Sequence, residues 1–339
     1  MHGSSTHTHS DTAILSVAAA HAPEVVTSAD FDERLMPTYE RLGTQPGLLE
    51  NLAGIRERRW WPEGTLFAEA AAIAGQKAID EAGIDRNRIG LLIDTSVCRD
   101  HLEPSAAVAV HHLLDLPSNC LNFDLANACL GFLNAIQVAG SMIDSGQIEY
   151  ALIVDGEGSR HTQEATLDRL SSEDATVSDL FAEFASLTLG SGAAAMVLGR
   201  HSENPGSHRV VGGISQADSS HHAICVGTLD QMRTDTKALL DAGLLLAKRA
   251  WADEEHRGWR DMDRYILHQV SQVHTSMMCD VLGIDPAKAP LTFPVLGNVG
   301  PAAVPITLAE EAASLSPGDR VLLLGIGSGI NAMATEIIW

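Results

Sequence analysis

The feature that most constrains the fold is a pattern that occurs twice. An apolar run, Leu121-Asn122-Phe123-Asp124-Leu125, gives way to a small-residue segment with apolar residues at helical spacing, among them Leu130, Leu133, Ile136, Val138 and Met142, and then to a second apolar run, Tyr150 to Val154. Near the C-terminus Leu291-Thr292-Phe293 leads through Gly297-Asn298 into a helical segment reaching about Ala313, and then into the strand Val321 to Leu324. Each block closes with a glycine turn and a further strand: Gly190-Ser191-Gly192 before Ala193 to Leu198, and Gly327-Ser328-Gly329 before Ala332 to Ile338. Strand-helix-strand units look alike in any α/β protein, but the shared order of parts favours an internal duplication with its halves meeting near Glu203-Asn204-Pro205-Gly206. A duplicated fold would let the helix starts carrying Cys129 and Asn298 face each other across a pseudo-dyad. The expected division is a disordered tail over 1–12, a first half over 13–203 and a second half over 204–339.

Composition narrows the partners. The 339 residues carry 44 acidic against 22 basic side chains, a formal charge of −22, which argues against a nucleic-acid partner because a phosphate backbone demands a basic face. No apolar run is long enough to span a bilayer, and the first ten residues lack the basic-then-apolar order of a secretory signal, so a cytoplasmic enzyme is the expectation. The five cysteines, Cys98, Cys120, Cys129, Cys225 and Cys279, form no Cys-x-x-Cys pair, which leaves disulfides and structural zinc without support. The adjacent pairs His111-His112 and His221-His222 do not share a helix face, so no metal is expected from them. For an anionic substrate the candidate patch is Arg56-Glu57-Arg58-Arg59, with Arg56 and Arg59 foremost; a solvated loop explains the same charges.

Cys129 stands where an apolar run ends and a helix begins. A thiol there lies at the positive end of the helix dipole, near amides with no intrahelical partner, which favours the thiolate and supplies donors for an oxyanion. The competing reading is a buried structural cysteine. The run Tyr265-Ile266-Leu267-His268 ends a short strand in a histidine, where open α/β sheets place their sites. Cys129, His268 and Asn298 together can provide nucleophile, proton handling and oxyanion donors.

These three, in Ala126-Asn127-Ala128-Cys129-Leu130-Gly131-Phe132, His268-Gln269-Val270 and Gly297-Asn298-Val299-Gly300-Pro301, resemble the Cys-His-Asn triad of the thiolase superfamily. Gly54-Ile55-Arg56-Glu57-Arg58-Arg59 resembles the N-terminal signature of its 3-oxoacyl-ACP synthase III branch. Within that branch the segment Thr95-Ser96-Val97-Cys98-Arg99-Asp100-His101-Leu102-Glu103-Pro104-Ser105, the run Gly325 to Asn331 and the closing Glu336-Ile337-Ile338-Trp339 resemble the group that joins two fatty acyl-CoA molecules head to head in long-chain olefin biosynthesis.

The resemblance implies a five-layered α-β-α-β-α thiolase fold, a homodimer, and no cofactor beyond acyl-CoA as substrate. It implies Cys129 as nucleophile, an oxyanion hole from the amides of Cys129 and Ser328, and an enolate held by His268 and Asn298. Glu103 would be the base, delivered from the partner subunit, and the product a 2-alkyl-3-oxoacyl thioester or acid. Enzymes of an olefin or β-lactone pathway would act downstream. A decarboxylating synthase using malonyl-ACP, an acyl-thioester hydrolase or transferase, and a non-catalytic binding subunit are the alternatives.

Overall fold

The structure, a computed structural model, describes residues 4–253 and 257–339. In the first half β1 (Ser5–Thr8) and β2 (Thr12–His21) precede a small ribbon, β3 (Glu24–Thr27) with β4 (Glu57–Trp60), whose strands are separated by α1 (Ser28–Leu42) and α2 (Leu48–Ala53). There follow α3 (Phe67–Ala82), β5 (Ile89–Asp94), α4 (Ala106–Leu113), β6 (Leu121–Asp124), α5 (Gly131–Asp144), β7 (Tyr150–Glu157), α6 (Arg160–Ser171), α7 (Val177–Leu187) and β8 (Gly192–Arg200). The second half runs β9 (His208–Ala217), the hairpin β10 (Cys225–Gly227) and β11 (Met232–Thr234), α8 (Thr236–Asp253), β12 (Arg264–Leu267), α9 (Gln272–Leu282), α10 (Phe293–Leu296), α11 (Ala303–Glu311), β13 (Arg320–Gly327) and β14 (Asn331–Ile338).

The strand order makes the duplication visible. Hydrogen bonding follows β12-β13-β14-β9-β2-β8-β7-β5-β6. In the first half β5 and β7 are parallel, β8 is antiparallel to β7, and β2 is antiparallel to β8. In the second half β12 and β13 are parallel, β14 is antiparallel to β13, and β9 is antiparallel to β14. The arrays join where β2 meets β9, Ala13 pairing with Arg209 and Ile14 with His208.

Side-chain alternation then sorts the molecule into layers, because successive residues of a strand point to opposite faces. On β7, Ala151 and Ile153 enter the same core as Val321 and Leu323 of β13, together with Phe132, Leu133 and Ile136 of α5 and Val304 and Ile306 of α11. Their alternates Leu152 and Val154 pack outward on the alanine-rich face of α3, and Leu322 of β13 packs outward toward α8 and α9. Helices α5 and α11 are therefore sandwiched between two sheets, each covered outside by further helices: the five layers α-β-α-β-α of a thiolase fold.

Three local expectations are corrected. The N-terminal tail is not disordered over its described part: β1 pairs with β9 from Ser5↔Ser215 to Thr8↔Gly212, covering an edge that β2 leaves bare beyond Arg209. The Asp144 carboxylate then accepts from the Ser10 and Asp11 N–H groups and from Thr12 Oγ1, while the buried His9 ring lies so close to Gly140 that a Cβ there would come within 2.5 Å of it. Helix α5 starts at Gly131 rather than at Cys129. Finally Leu291-Thr292-Phe293 forms no strand, because prolines flank it and the buried Gln269 side chain captures the Thr292 and Phe293 N–H groups at 2.8 and 3.3 Å. The second sheet consequently lacks a counterpart to β6.

Candidate active site

The turn that carries Cys129 is built by local hydrogen bonds and one strained residue. After β6, Leu125 N–H returns to Asp94 O, and the Asp124 carboxylate accepts from the first amides of α4, Ala106 and Ala107, while pairing with Arg99. Ala128 has a left-handed φ of 45°, Leu130 N–H donates to Asn127 O, and Asn127 Nδ2 donates to Asn134 Oδ1 at 2.7 Å. Gly131 is required beneath this turn, since a Cβ there would lie 2.9 Å from Thr95 O.

Cys129 is only partly exposed, and its thiol pKa is pushed up to about 12, chiefly by burial, with smaller contributions from the neighbouring Glu157, Cys225 and Asp155. The expected thiolate is therefore corrected to a thiol. A helix terminus contributes about 0.3–1 kcal/mol, whereas burying a charge costs several. The sulfur must lose its proton as it attacks.

His268 directly follows β12, with its N–H donating to Leu324 O at 2.8 Å. The buried ring has no hydrogen bond at Nδ1, and burial, with a contribution from His274, holds its pKa down to about 3. A neutral imidazole keeps one donor and one acceptor nitrogen. The next residue, Gln269, reaches Leu267 O and Pro290 O through Nε2 and holds Thr292 and Phe293 through Oε1, so the histidine strand is tied to the chain that leads into Asn298. Asn298 is itself pinned to the segment before β8: its N–H donates to Thr188 O, and its carbonyl accepts from Gly190 N–H, both at 2.9 Å. Its Oδ1 accepts from Gly300 N–H at 3.1 Å, which sets the amide orientation and leaves Nδ2 as the free donor.

Strand β13 brings these parts together. A Cβ on Gly325 would meet Leu130 at 2.4 Å, and one on Gly327 would lie 3.4 Å from the Cys129 amide nitrogen, so the end of β13 lies against the cysteine turn. Ser328 begins the turn into β14 immediately beyond. His268 and His274 line an apolar pocket that runs between the second sheet and α8 and α9 toward Trp251 and Met278. Among the described residues no cluster of His, Cys, Asp or Glu is placed to hold a metal ion.

Glu103 is not at this site within one chain. It sits exposed on the loop after β5, beside the wholly exposed Leu102. The loop's base is anchored: Asp100 accepts from the Phe67 and Ala68 amides at the start of α3, and Arg99 pairs with Asp124. Arg56 is exposed and Arg59 pairs with Glu57 at 3.2 Å. Between them Arg58 is fully buried, its guanidinium 4.5 Å from the Phe31 ring and bonded to Ser28 Oγ and Leu187 O, so the run is a strand with one inward arginine rather than a solvated loop.

Sequence reasoning missed Gln269 and a buried acidic group, Asp94, Asp155 and Glu157, at the ends of β5 and β7. The available signal was Asp155-Gly156-Glu157, two carboxylates closing an apolar run.

Comparison with known proteins agrees with this architecture. The 3-oxoacyl-[acyl-carrier-protein] synthase III family matches residues 123–212, and the C-terminal region of that synthase matches 253–339. The chain belongs to this family of condensing enzymes. It is 44% identical over 331 residues to the acyl-CoA:acyl-CoA alkyltransferase of Xanthomonas campestris pv. campestris, covering 96% of this chain and 98% of that one. The Shewanella oneidensis protein of the same name is 36% identical, again over 96% and 98%. A β-ketoacyl-[acyl-carrier-protein] synthase III of Pectobacterium atrosepticum is 30% identical over 94% and 96%. Among solved structures, one of X. campestris OleA superposes with a TM-score of 0.96 at 43% identity over 98% and 99% of the two chains. A cysteine-to-serine variant of OleA with bound lauric acid and lauroyl-CoA gives 0.95 at 43% identity over 97% and 99%.

Proposed function

We propose that the protein joins two fatty acyl-CoA molecules head to head, without decarboxylation, through an acyl-cysteine intermediate. The observation that carries the reading is full-length similarity to two acyl-CoA:acyl-CoA alkyltransferases in a chain that has a cysteine turn, a neutral histidine and an oriented asparagine amide.

In the first half-reaction the Cys129 sulfur attacks an acyl-CoA carbonyl and gives up its proton. The amides of Cys129 and Ser328 hold the oxyanion, and the CoA thiolate leaves with that proton. A second acyl-CoA then places its carbonyl oxygen at His268 and at Nδ2 of Asn298. An α-proton next to a thioester is weakly acidic, so its removal needs both these donors and a base. Glu103 from a second copy of the chain takes that proton. The enolate carbon bonds to the acyl-Cys carbonyl, the Cys129 sulfur departs, and a 2-alkyl-3-oxoacyl thioester results. The exposed Arg56, with Arg59, is the proposed contact for CoA phosphates. Acyl-CoA substrates fit a cytoplasmic setting and the downstream enzymes of an olefin or β-lactone pathway. No helix among the described residues is long and apolar enough to cross a membrane.

Mass spectrometry of the products from acyl-CoA alone, with and without malonyl-ACP, tests the reading. The expected product combines two whole acyl chains and forms without malonyl-ACP. A product that appears only with malonyl-ACP and is extended by one two-carbon unit would replace it with the decarboxylating synthase.

A further inference from the structure

Strand β7 closes on two inward carboxylates, Asp155 and Glu157, and Asp94 at the end of β5 lies beside them. Glu157 is 6% exposed. Its Oε1 accepts from the Val97 N–H at 2.6 Å and from the Cys98 N–H at 3.5 Å, the first residues of the loop that carries Glu103. On its other side the same carboxyl meets the asparagine turn, since a Cβ on Gly300 would lie 3.4 Å from the Glu157 carboxyl carbon. Gly300 N–H is the group that orients the Asn298 amide. The Glu157 main chain is held separately, its carbonyl accepting from the Trp61 indole N–H at 2.9 Å. One side chain therefore touches the root of the Glu103 loop and the turn that aims Asn298, behind the cysteine turn.

We propose that Glu157 is a positioning residue that holds the Glu103 loop and the Asn298 turn in place for the condensation step. The inference rests on the reading of Glu103 as the base. The surroundings favour the neutral form. The groups facing Glu157 are Asp155 on its own strand, Asp94 from β5, Cys98 from the following loop and Cys129 from the turn before α5; the asparagine turn offers only the Gly300 backbone, and the segment after β4 only the Trp61 indole. Arg99, close to Asp94, is already paired with Asp124. Burial raises the Glu157 pKa to about 7, that of Asp94 to about 6, and that of Asp155 well above the usual carboxylate range. Above neutrality Glu157 would ionise beside Asp94 and Asp155; its bonds from the Val97 and Cys98 N–H groups would strengthen, while like-charge repulsion would move the carboxylate off the asparagine turn.

Glu157→Gln keeps the shape and the acceptor but cannot ionise, and Glu157→Ala removes the contacts. Acylation of Cys129, read by intact-protein mass, and condensation, read by product formation, are measured separately across pH, with thermal unfolding as a check on folding. Glu157→Ala should acylate within about threefold of wild type and condense roughly 10- to 100-fold more slowly, the scale of an ångström-level misplacement. Wild-type condensation should fall above about pH 7, and Glu157→Gln should carry it at least ~1 pH unit further, because the titrating group is gone. A merely structural role would not move the pH profile. Equal loss of both steps in a folded Glu157→Ala, or an alkaline fall in Glu157→Gln that matches wild type, overturns the inference; if Glu157→Ala does not fold, the Glu157→Gln profile decides alone. Glu103→Gln is run beside them. If it condenses like wild type, the base assignment fails and the positioning role with it. If it is inactive while the Glu157 variants condense as wild type does, only the positioning role fails.

Discussion

For individual residues, burial favours the uncharged forms of Cys129 and His268. Burial pushes the Cys129 thiol pKa up by more than the nearby start of α5 can offset, and burial, with His274 beside it, holds the His268 imidazole pKa down. Cys129→Ser should abolish covalent acyl capture while leaving the fold intact, since a hydroxyl is a far weaker nucleophile than a thiol at this position. Intact-protein mass after mixing with acyl-CoA is the check, and a full adduct on another residue would refute the assignment. His268→Ala and Asn298→Ala should retain part of the acylation and lose condensation by about 10²–10³-fold, the scale of removing an oxyanion donor. Near wild-type condensation in either variant would exclude the triad.

Among elements, the asparagine turn depends on contacts distant in sequence. Gly190 donates its N–H to Asn298 O, and a Cβ there would lie 1.7 Å from Leu296 O. Backbone cannot yield as a flexible side chain does. Gly190→Ala should therefore displace the turn, destabilise the protein by about 1–3 kcal/mol, as overpacking does, and reduce condensation more than acylation. Denaturant unfolding together with the two half-reaction assays measures this, and an unchanged midpoint would show that the turn accommodates the methyl group. Gln269 performs the complementary task just beyond β12, its whole carboxamide engaged by backbone groups.

At the scale of the whole molecule, one chain holds its proposed base away from its own cysteine. Glu103 stands on an anchored loop beside the exposed apolar side chains Val97, Leu102, Val108 and Leu121, and β6 ends the sheet with one edge unpaired. Such an edge with apolar neighbours suits a symmetric contact with a second copy. Sedimentation at micromolar concentration should give a dimer, and a monomer would remove the neighbouring site that Glu103 is meant to enter. Glu103→Gln should acylate Cys129 yet fail to condense. Mixing it with Cys129→Ser should restore activity, since each heterodimer contains one site with a native cysteine and a native glutamate. Random exchange of equal amounts predicts about a quarter of wild-type activity. If the mixture stays inactive despite verified exchange, Glu103 either acts within its own subunit or is not the base.

The strand-helix-strand run through Cys129, the strands after the two glycine turns, the limits of α3 and the placing of Cys129, His268 and Asn298 at turns and strand ends were legible in the sequence, because helical spacing and glycine stops are local signals carried by neighbouring residues. The same locality explains the errors. Pro290 to Pro294 has the composition of a strand, yet its amides went to Gln269, and the tail read as disordered became β1 because β9 lay bare beyond Arg209. What tertiary structure alone decided is electrostatic: which arginine of Arg56, Arg58 and Arg59 turns inward, that Cys129 stays protonated and His268 uncharged, and that Asp94, Asp155 and Glu157 converge behind the nucleophile. Protonation depends on how much water the whole fold removes and which charges it brings close, and neither is written in the spacing of residues along the chain.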